Sequence, residues 1–192
     1  RRFSGDYREL KRIIDETELG DPLTVSARLY MGRRRPVEKT IYHDGTHMLD
    51  VLRYLTGSDI RIDYVHGDAV SEGGGLCILA AAGDITVEWE ISGGRDHLVF
   101  ELDWSFSSGR VRIGNGIFEV WKSVDSPFYS GFKSLERIHN GWSGTTGYFT
   151  GMMDHAVLLF DHPEKTSLSS LSDGTAVLRS IKEILSYTVK TG

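Results

Sequence analysis

The sequence has one cysteine, no long apolar run and no excess of basic residues, and each of these shortages excludes a class of protein. A single thiol, Cys77, leaves no internal disulfide framework and is typical of a reducing compartment. No stretch approaches the ~18–20 apolar residues that span a bilayer, and no signal-peptide pattern is present, which together favour a cytoplasmic protein without a membrane partner. The net charge of −5 argues against a nucleic-acid partner, because such partners demand clustered Lys and Arg.

The residues that are present suit one globular domain. The 192 residues, 40% hydrophobic and 26% charged, predict a single domain over residues 1–192 with a sizeable core. Cys77 lies in the apolar run 76–82, so we interpret it as a buried strand residue rather than as a nucleophile. The basic run 33–35 is interpreted as a solvated loop, with phosphate binding as the open alternative.

Hydrophobic periodicity divides the first third of the chain into helices and a strand. Ser4–Leu19 has the spacing of an amphipathic helix, and Leu23–Met31 alternates like a half-buried strand. Gly32–Lys39 is predicted to be a polar, basic loop. Met48–Leu55 is predicted to be a second helix, which ends at Gly57.

The middle of the chain is rich in strand signals separated by Gly-rich turns. The predicted strand runs are Ile60–Val70, Leu76–Ser92, His97–Phe106, Val111–Ile113 and Ile117–Val124. Ser126–Gly147 has no clear period and is predicted to be a long loop. Helical spacing returns at Tyr148–Phe160 and at Asp173–Thr188.

This order of elements predicts an α+β fold, with an open, mainly antiparallel (mixed) β-sheet and helices packed on one face. Alternation in Leu98–Phe106 puts five large apolar side chains on the same side of the sheet. If the opposite side is equally apolar, a partner subunit or domain should cover it.

The stretch Ile41–Asp50 concentrates the titratable groups. It contains His43, Asp44, His47 and Asp50, immediately before or inside the second helical pattern. Histidine suits proton transfer at neutral pH because its ordinary pKa is about 6.5. We therefore interpret His47, Asp44 and His43 as the candidate catalytic residues.

The acidic residues of this stretch have structural alternatives. Asp44 is chemically a good N-cap for the helix that follows. Asp50, three residues after His47, is placed to orient His47, to pair with Arg53 or to cap a neighbouring loop. His43 and His47 have the i, i+4 spacing of a helical metal pair, but no third ligand is evident, so no metal is assigned.

Other polar and aromatic residues are candidates for binding a small-molecule substrate in the same cleft. They are Arg28, Tyr30, Lys39, Asp50, Trp142, Tyr148 and His155.

Several segments together resemble the C-terminal domain of a known family. The opening Arg1–Phe3, Glu18–Val25, Asp44–Asp50 leading into Val51–Gly57, and the closing Ser186–Gly192 resemble the glucose–fructose oxidoreductase/inositol dehydrogenase/rhizopine-catabolism family. The resemblance covers essentially the whole chain and is strongest over its first 57 residues.

The resemblance implies half of a two-domain oxidoreductase. Such enzymes bind NAD or NADP mainly in an N-terminal Rossmann domain, with a Gly-rich fingerprint and a lysine in a Glu-Lys-Pro motif, and they act on sugars, cyclitols or related hydroxy compounds. Neither motif occurs here, and Lys39 stands before Thr40 rather than before proline. The family motif makes His47 the general base, whereas His43 stands where many members have an aspartate.

On this reading the chain is the substrate-binding and oligomerisation domain, inactive by itself, whose partners are the missing Rossmann domain and further copies of the chain. The copies would form a homodimer or tetramer through the open sheet face. The alternative is a non-catalytic interaction module that uses the same sheet for self-association.

Overall fold

The structure, a computed structural model, describes residues 1–141 and 147–189. These residues form five α-helices and eight strands. In chain order the elements are α1 (Gly5–Asp15), β1 (Pro22–Met31), α2 (Val37–Thr40), α3 (Thr46–Thr56), β2 (Ile60–Gly67), β3 (Gly75–Ala82), β4 (Ile85–Ser92), β5 (Leu98–Phe106), β6 (Gly109–Gly114), β7 (Ile117–Asp125), β8 (Lys133–Gly141), α4 (Tyr148–Asp161) and α5 (Leu171–Val189). A π-helical turn, Ile41–Gly45, joins α2 to α3.

The eight strands form one sheet in the order β2-β3-β4-β1-β5-β6-β7-β8. β1 runs parallel to β4, and every other neighbouring pair in the described sheet is antiparallel. The parallel pair follows from the connection, because the chain leaves β1 through α2 and α3 before it returns to the sheet. The predicted α+β fold with an open, mainly antiparallel sheet is confirmed.

The two faces of the sheet differ in polarity. On the covered face, Val25, Leu29, Trp89 and Leu102 lie beneath the helices and are at most 3% exposed. This core is large enough to hold the sheet and the helices together, since each fully buried side chain of this size contributes about 1.5–3 kcal/mol. The predicted apolar row of Leu98–Phe106 faces the same core, except that Leu98 itself is exposed.

The open face carries paired charges instead of a second apolar layer. Glu101 pairs with Arg112 at 3.4 Å between β5 and β6, and Asp103 forms an ion pair with Arg110 across the same two strands. The sequence predicted a covering partner only if the outer face were as apolar as the inner one. Over this part of the sheet the outer face is charged, so that condition is not met.

Two stretches predicted as loops contain regular structure. Helix α2 begins at Val37, inside the predicted loop Gly32–Lys39, because Val37 and Thr40 are buried against the core. Strand β8 lies inside the predicted loop Ser126–Gly147. It is an edge strand that is exposed on both sides, so its sequence shows no alternation.

The predicted strand Leu76–Ser92 is a hairpin of two strands, β3 and β4, with its turn at Gly83. The φ of +62° at Gly83 belongs to the left-handed region that glycine tolerates best. Cys77 points away from the core and is exposed, so its predicted burial is wrong. Its strand alternates, and Cys77 falls on the open face while Leu76 and Ile78 are buried.

Helix α4 differs from the other long helices because no residue of it is buried within the described structure. Its exposed apolar side chains include Phe149, Met153, Val157 and Phe160. A contiguous exposed apolar surface commonly marks a site of contact with a protein, a membrane or a ligand. None of the described helices is long and apolar enough to cross a membrane.

The turn between α2 and α3 packs tightly on the sheet at Gly45. A Cβ atom there would lie 2.8 Å from Ile41 Cγ1 and 3.3 Å from the ring of Trp89. We expect Gly45→Ala to lower the free energy of unfolding by about 1–3 kcal/mol, because overpacking forces neighbouring side chains to move.

Urea denaturation measures this effect, and Gly174→Ala is the matched control. Gly174 lies in α5, and a Cβ atom added there would have no atom within 4 Å. Its replacement by alanine should therefore raise the free energy of unfolding by about 0.5 kcal/mol through helix propensity. Equal stability of Gly45→Ala and the unmodified chain would contradict this account of the turn.

Candidate functional site

The candidate residues His43, Asp44, His47 and Asp50 lie on one continuous helical segment, which runs from Val37 to Thr56. The π-helical turn contains His43 and Asp44, and such turns occur frequently at functional sites. Asp44 is not the N-cap that the sequence suggested, because the chain is already helical before it. Its side chain instead lies in the protein interior, 11% exposed.

Asp44 holds two partners through its two oxygen atoms. Oδ2 accepts a hydrogen bond from the guanidinium of Arg35, and Oδ1 lies 2.9 Å from His43 Nδ1. Arg35 also donates from Nε to Thr40 Oγ1 at 2.8 Å. The prediction of a solvated loop for residues 33–35 is therefore wrong for Arg35, which is half-buried.

His47 lies one turn after His43 and opens onto a groove. Although His47 is an exposed residue, partial desolvation lowers its pKa below the ordinary value. The guanidinium of Arg1 acts in the same direction, and the carboxylates of Asp44 and Asp50 oppose it. Among the described residues, no side chain hydrogen-bonds the ring. At neutral pH the imidazole is therefore uncharged and free to accept a proton.

The carboxylate of Asp50 forms an ion pair with the buried Arg2, which is 4% exposed. Arg2 Nε donates to Asp50 Oδ2 at 3.1 Å, and a second bond runs from its Nη2. Asp50 therefore has the structural role weighed from the sequence, with Arg2 rather than Arg53 as its partner. It does not orient His47 through a hydrogen bond.

Asp173 extends this pairing into a cluster of charges. Its carboxylate accepts from Arg53 at 2.9 Å and lies 3.6 Å from Arg2. Asp173 also accepts from the backbone N–H of Ser170 at 2.8 Å, and its own N–H donates to Ser170 Oγ at 3.3 Å. This reciprocal pair is a capping box that starts α5. The cluster thus ties the first residues of the chain, α3 and α5 together.

The groove beside His47 has a volume of about 380 Å³ and lies between α3 and α5. Its lining residues are Thr46, His47, Asp50, Leu171, Gly174, Thr175, Val177 and Leu178. Apolar atoms form most of the surface of the groove, although four of these residues are polar. The groove can therefore hold a small organic ligand with His47 as its proton acceptor.

Three predicted substrate residues lie away from this groove. Arg28 is exposed on the open face of the sheet, and Tyr30 donates its hydroxyl to Glu90 at 2.6 Å on the same side. Burial and this hydrogen bond raise the pKa of Tyr30 to about 12. Lys39 is exposed on α2. The alternation of β1 placed Arg28 on its polar face, but it did not tell which face the helices cover.

The late candidates do not line the groove beside His47 either. Tyr148 lines a small cavity of about 30 Å³ with Arg1 and Tyr7, and the Arg1 guanidinium lies 5.2 Å from the Tyr148 ring centre. His155 Nε2 accepts a hydrogen bond from the backbone N–H of Leu168 at 3.0 Å, so it holds α4 to the next loop. Trp142 lies outside the described residues.

Three residues that shape the site were not among those predicted from the sequence. Arg2 was part of the resemblance, yet nothing local pairs it with an aspartate 48 residues later. Arg35 was hidden in a basic run that usually indicates a solvated loop. Asp173 had a readable signal, because Ser170 and Asp173 have the spacing of a capping box ahead of an apolar helix.

Neither a metal nor a dinucleotide has a complete binding site in the part of the chain that the structure describes. No group of three His, Cys, Asp or Glu side chains there could hold a metal ion. The one turn from a parallel strand into a helix, β1 to α2, carries Gly32 but no G-x-G-x-x-G run. The described residues beside the groove offer one imidazole for proton transfer and a largely apolar surface for an organic ligand.

The sequence is similar to that of a dehydrogenase over part of its length. No protein-family model matches the chain. Over 64 residues it is 39% identical to the inositol 2-dehydrogenase of Salmonella paratyphi B, a match that covers 32% of this chain and 19% of that protein.

Solved structures share the fold over nearly the whole chain. A dehydrogenase from Chromobacterium violaceum has a TM-score of 0.76 at 12% identity, over 99% of this chain and 60% of its own. Levoglucosan dehydrogenase, solved with NADH and levoglucosan, has a TM-score of 0.67 at 13% identity, over 97% of this chain and 64% of its own. This chain thus spans about three fifths of the solved structures that it matches.

The sequence match and the shared fold confirm the resemblance to the glucose–fructose oxidoreductase/inositol dehydrogenase/rhizopine-catabolism family that the sequence predicts.

The Asp173 cluster generates a prediction for stability. Partial burial alone would raise the pKa of Asp173, but its bonds to Ser170 and Arg53 outweigh burial and hold the pKa at about 2. Ionised Asp173 therefore stabilises the fold above its ordinary pKa, and this contribution is lost as the pH falls toward 2. We expect Asp173→Asn to cost on the order of 1–2 kcal/mol at pH 7, after solvent screening.

Urea denaturation at pH 7 and at pH 3 measures this cost, which should shrink at the lower pH. Asp15→Asn is the control, because Asp15 forms only an exposed pair with Lys11 and should change stability by less than about 0.5 kcal/mol. A cost for Asp173→Asn that is the same at both pH values would contradict the role of its charge.

Proposed function

We propose that this chain is the substrate-binding and proton-handling domain of an NAD(P)-dependent oxidoreductase, with His47 as the general base. The observation that carries the proposal is the position of His47. Its uncharged imidazole opens onto an apolar groove on the helical segment where the family motif places its histidine. The substrate is a sugar, a cyclitol or a related hydroxy compound, by analogy with inositol 2-dehydrogenase and levoglucosan dehydrogenase.

His47 takes the proton of the substrate hydroxyl during oxidation and returns it during reduction. Its lowered pKa keeps the ring unprotonated at neutral pH, which is the form that a general base needs. A bound nicotinamide supplies the hydride acceptor or donor. Leu171, Val177 and Leu178 give the groove an apolar wall. The hydroxyls of Thr46 and Thr175 donate to the His43 and Leu171 carbonyls, and their oxygens can accept hydrogen bonds from a polyol.

The dinucleotide belongs to a second domain in this proposal. Residues 1–192 form the substrate half of a two-domain protein, and a Rossmann domain elsewhere in the same polypeptide binds NAD or NADP. The exposed apolar surface of α4 suits such a neighbour, because Phe149, Met153 and Phe160 would otherwise face water. By itself the domain described here would be inactive, and we place the parent protein in the cytoplasm.

His47→Asn in the complete polypeptide tests the catalytic assignment. We expect it to lower kcat/KM by about 10²–10⁴-fold, because it removes a general base while keeping a side chain of similar polarity. The measurement is nicotinamide reduction, followed by absorbance, over a panel of sugars and cyclitols.

His66→Asn is the matched control, because His66 lies exposed on the open face of the sheet, stacked on Tyr64. It should leave turnover unchanged. Equal turnover of His47→Asn and the unmodified protein would contradict the assignment, and so would failure of the complete polypeptide to bind either NADH or NADPH.

The open sheet face favours a second role, self-association into a homodimer or tetramer. Its charges alternate in sign across neighbouring strands, as in the Glu101–Arg112 and Glu119–Arg137 pairs, so a second copy turned about a two-fold axis meets complementary charges. Exposed Leu79 and Tyr64 line a depression of about 310 Å³ on this face. A non-catalytic module would use the same surface.

Sedimentation of the chain at micromolar concentration tests this assembly. We expect a dimer or tetramer that Leu79→Arg dissociates, because it adds an unpaired charge to the depression that Leu79 lines on this face. Phe160→Arg, on α4, should leave the assembly intact. A monomeric unmodified chain would contradict the proposal, and so would an assembly that only Phe160→Arg dissociates.

A further inference from the structure

Two arginines of the basic run 33–35 have no part in the candidate site. Arg33 and Arg34 are exposed, and in the described part of the chain neither side chain forms an ion pair or a hydrogen bond. Arg35 differs from them, because its guanidinium binds Asp44 and Thr40. The loop after β1 therefore carries two positive charges that the described fold leaves unpaired.

This loop lies at the carboxyl end of the one parallel strand pair in the described sheet. β1 ends at Met31 and β4 ends at Ser92. Because β5 pairs with β1 on the side opposite to β4, the connection 93–97 crosses the end of β1. A Cβ atom at Gly32 would lie 3.4 Å from the carbonyl carbon of His97, so the two connections touch. The carboxyl ends of parallel strands in open sheets are common sites for phosphate-bearing ligands.

Backbone hydrogen bonds join this loop to two others. Arg35 N–H donates to the Gly93 carbonyl at 3.2 Å, and Gly73 N–H donates to the Arg35 carbonyl at 3.4 Å. Gly93 N–H in turn donates to the Gly74 carbonyl at 2.8 Å. A Cβ atom at Gly93 would lie 1.8 Å from the Arg35 carbonyl oxygen, so this approach requires glycine. We call the three connections the loop platform, which consists of residues 32–36, 71–75 and 92–96.

Arg34 packs against this platform although it is exposed. Its side chain crosses Gly73, where a Cβ atom would lie 3.1 Å from Arg34 Nε and 3.6 Å from Arg34 Cζ. Gly73 has a φ of +84°, so its conformation also favours glycine. A guanidinium that rests on a glycine backbone loses less freedom when it binds a ligand, and its planar fork of N–H groups matches the oxygens of a phosphate.

The charge of the loop platform is opposite to that of the whole chain. Its four arginines and two carboxylates leave a net charge of +2, whereas the chain has a net charge of −5. Of the two carboxylates, Asp96 lies 2.9 Å from His97 Nδ1, and Glu72 forms no ion pair with a described residue. Arg34 is thus not neutralised from within the platform, and the local field attracts anions.

We infer that the loop platform binds a phosphate group, with Arg34 as the contact residue and Arg33 as a second positive charge in the same loop. The ligand is inorganic phosphate or a phosphate monoester, since both present several charged oxygens to a guanidinium. None of the platform residues lines the groove beside His47. Phosphate binding there is independent of the catalytic role proposed for His47.

NMR titration of this chain with inorganic phosphate tests the site. We expect the Arg34 Nε–H signal and the Gly73 amide signal to shift together, with a Kd on the order of 1 mM at low salt. Hexose 6-phosphate is titrated separately, and the tighter ligand of the two shows whether the site takes the free ion or the phosphate of a larger molecule. Acetate at equal ionic strength and the unphosphorylated hexose are the controls, and neither should shift these signals.

Arginine variants identify the residue that binds. Arg34→Gln should weaken phosphate binding about 10-fold or more, because it removes a charge-assisted contact. Arg33→Gln should weaken it by about 2–5-fold through the loss of a nearby charge. Arg8→Gln is the matched control and should change nothing, because Arg8 is equally exposed, on α1, and has no ion pair with the residues that the structure describes.

A change that keeps the charge of Arg34 separates its geometry from simple attraction. Arg34→Lys loses the planar fork and should bind phosphate about 3–10-fold more weakly. Gly73→Ala should weaken binding as well, and if that variant does not fold, Arg34→Lys decides the point. An unmodified chain without phosphate-induced shifts would overturn the site. An equal response to acetate, or a folded Arg34→Gln or Arg34→Lys variant that binds as tightly as the unmodified chain, would overturn it too.

Discussion

The buried ion pair between Arg2 and Asp50 is the contact on which the site depends. Arg2 lies in the first residues of the chain, Asp50 lies in α3, and Asp173 joins them from the start of α5. A buried guanidinium that loses its carboxylate costs about 3–5 kcal/mol, so these three segments hold their positions together. The groove beside His47 lies between two of them, and its shape therefore depends on this cluster rather than on the sheet alone.

Each acidic residue near the site has its own partner. Asp50 forms an ion pair with Arg2, so among the described residues no side chain hydrogen-bonds the His47 ring. The pKa of His47 is set chiefly by partial desolvation. Asp44 binds Arg35 and His43. It lies in the helical turn whose Gly45 packs closely against Trp89. One short segment thus presents two histidines in different states. One faces an apolar groove without a partner, and the other is oriented and open to water.

The sequence predicted the features that depend on local pattern. Alternation in β5 predicted which of its side chains share a face, and the cluster of titratable groups identified the helical segment of the site. Features that depend on distant contacts were missed. Arg2 meets Asp50 across 48 residues, and Arg35 meets Asp44 only because the π-helical turn points that carboxylate inward. The edge strand β8 was missed because neither side of it is buried.

The most direct test of the central claim is a crystal structure of the complete polypeptide with NAD or NADP bound. The account predicts that the nicotinamide ring opens onto the groove beside His47, with space for one small hydroxy compound between the ring and the imidazole. It also predicts that a His47 nitrogen lies within about 3 Å of the hydroxyl of a bound substrate. A nicotinamide bound far from this groove, or a His47 ring covered by another domain, would contradict it.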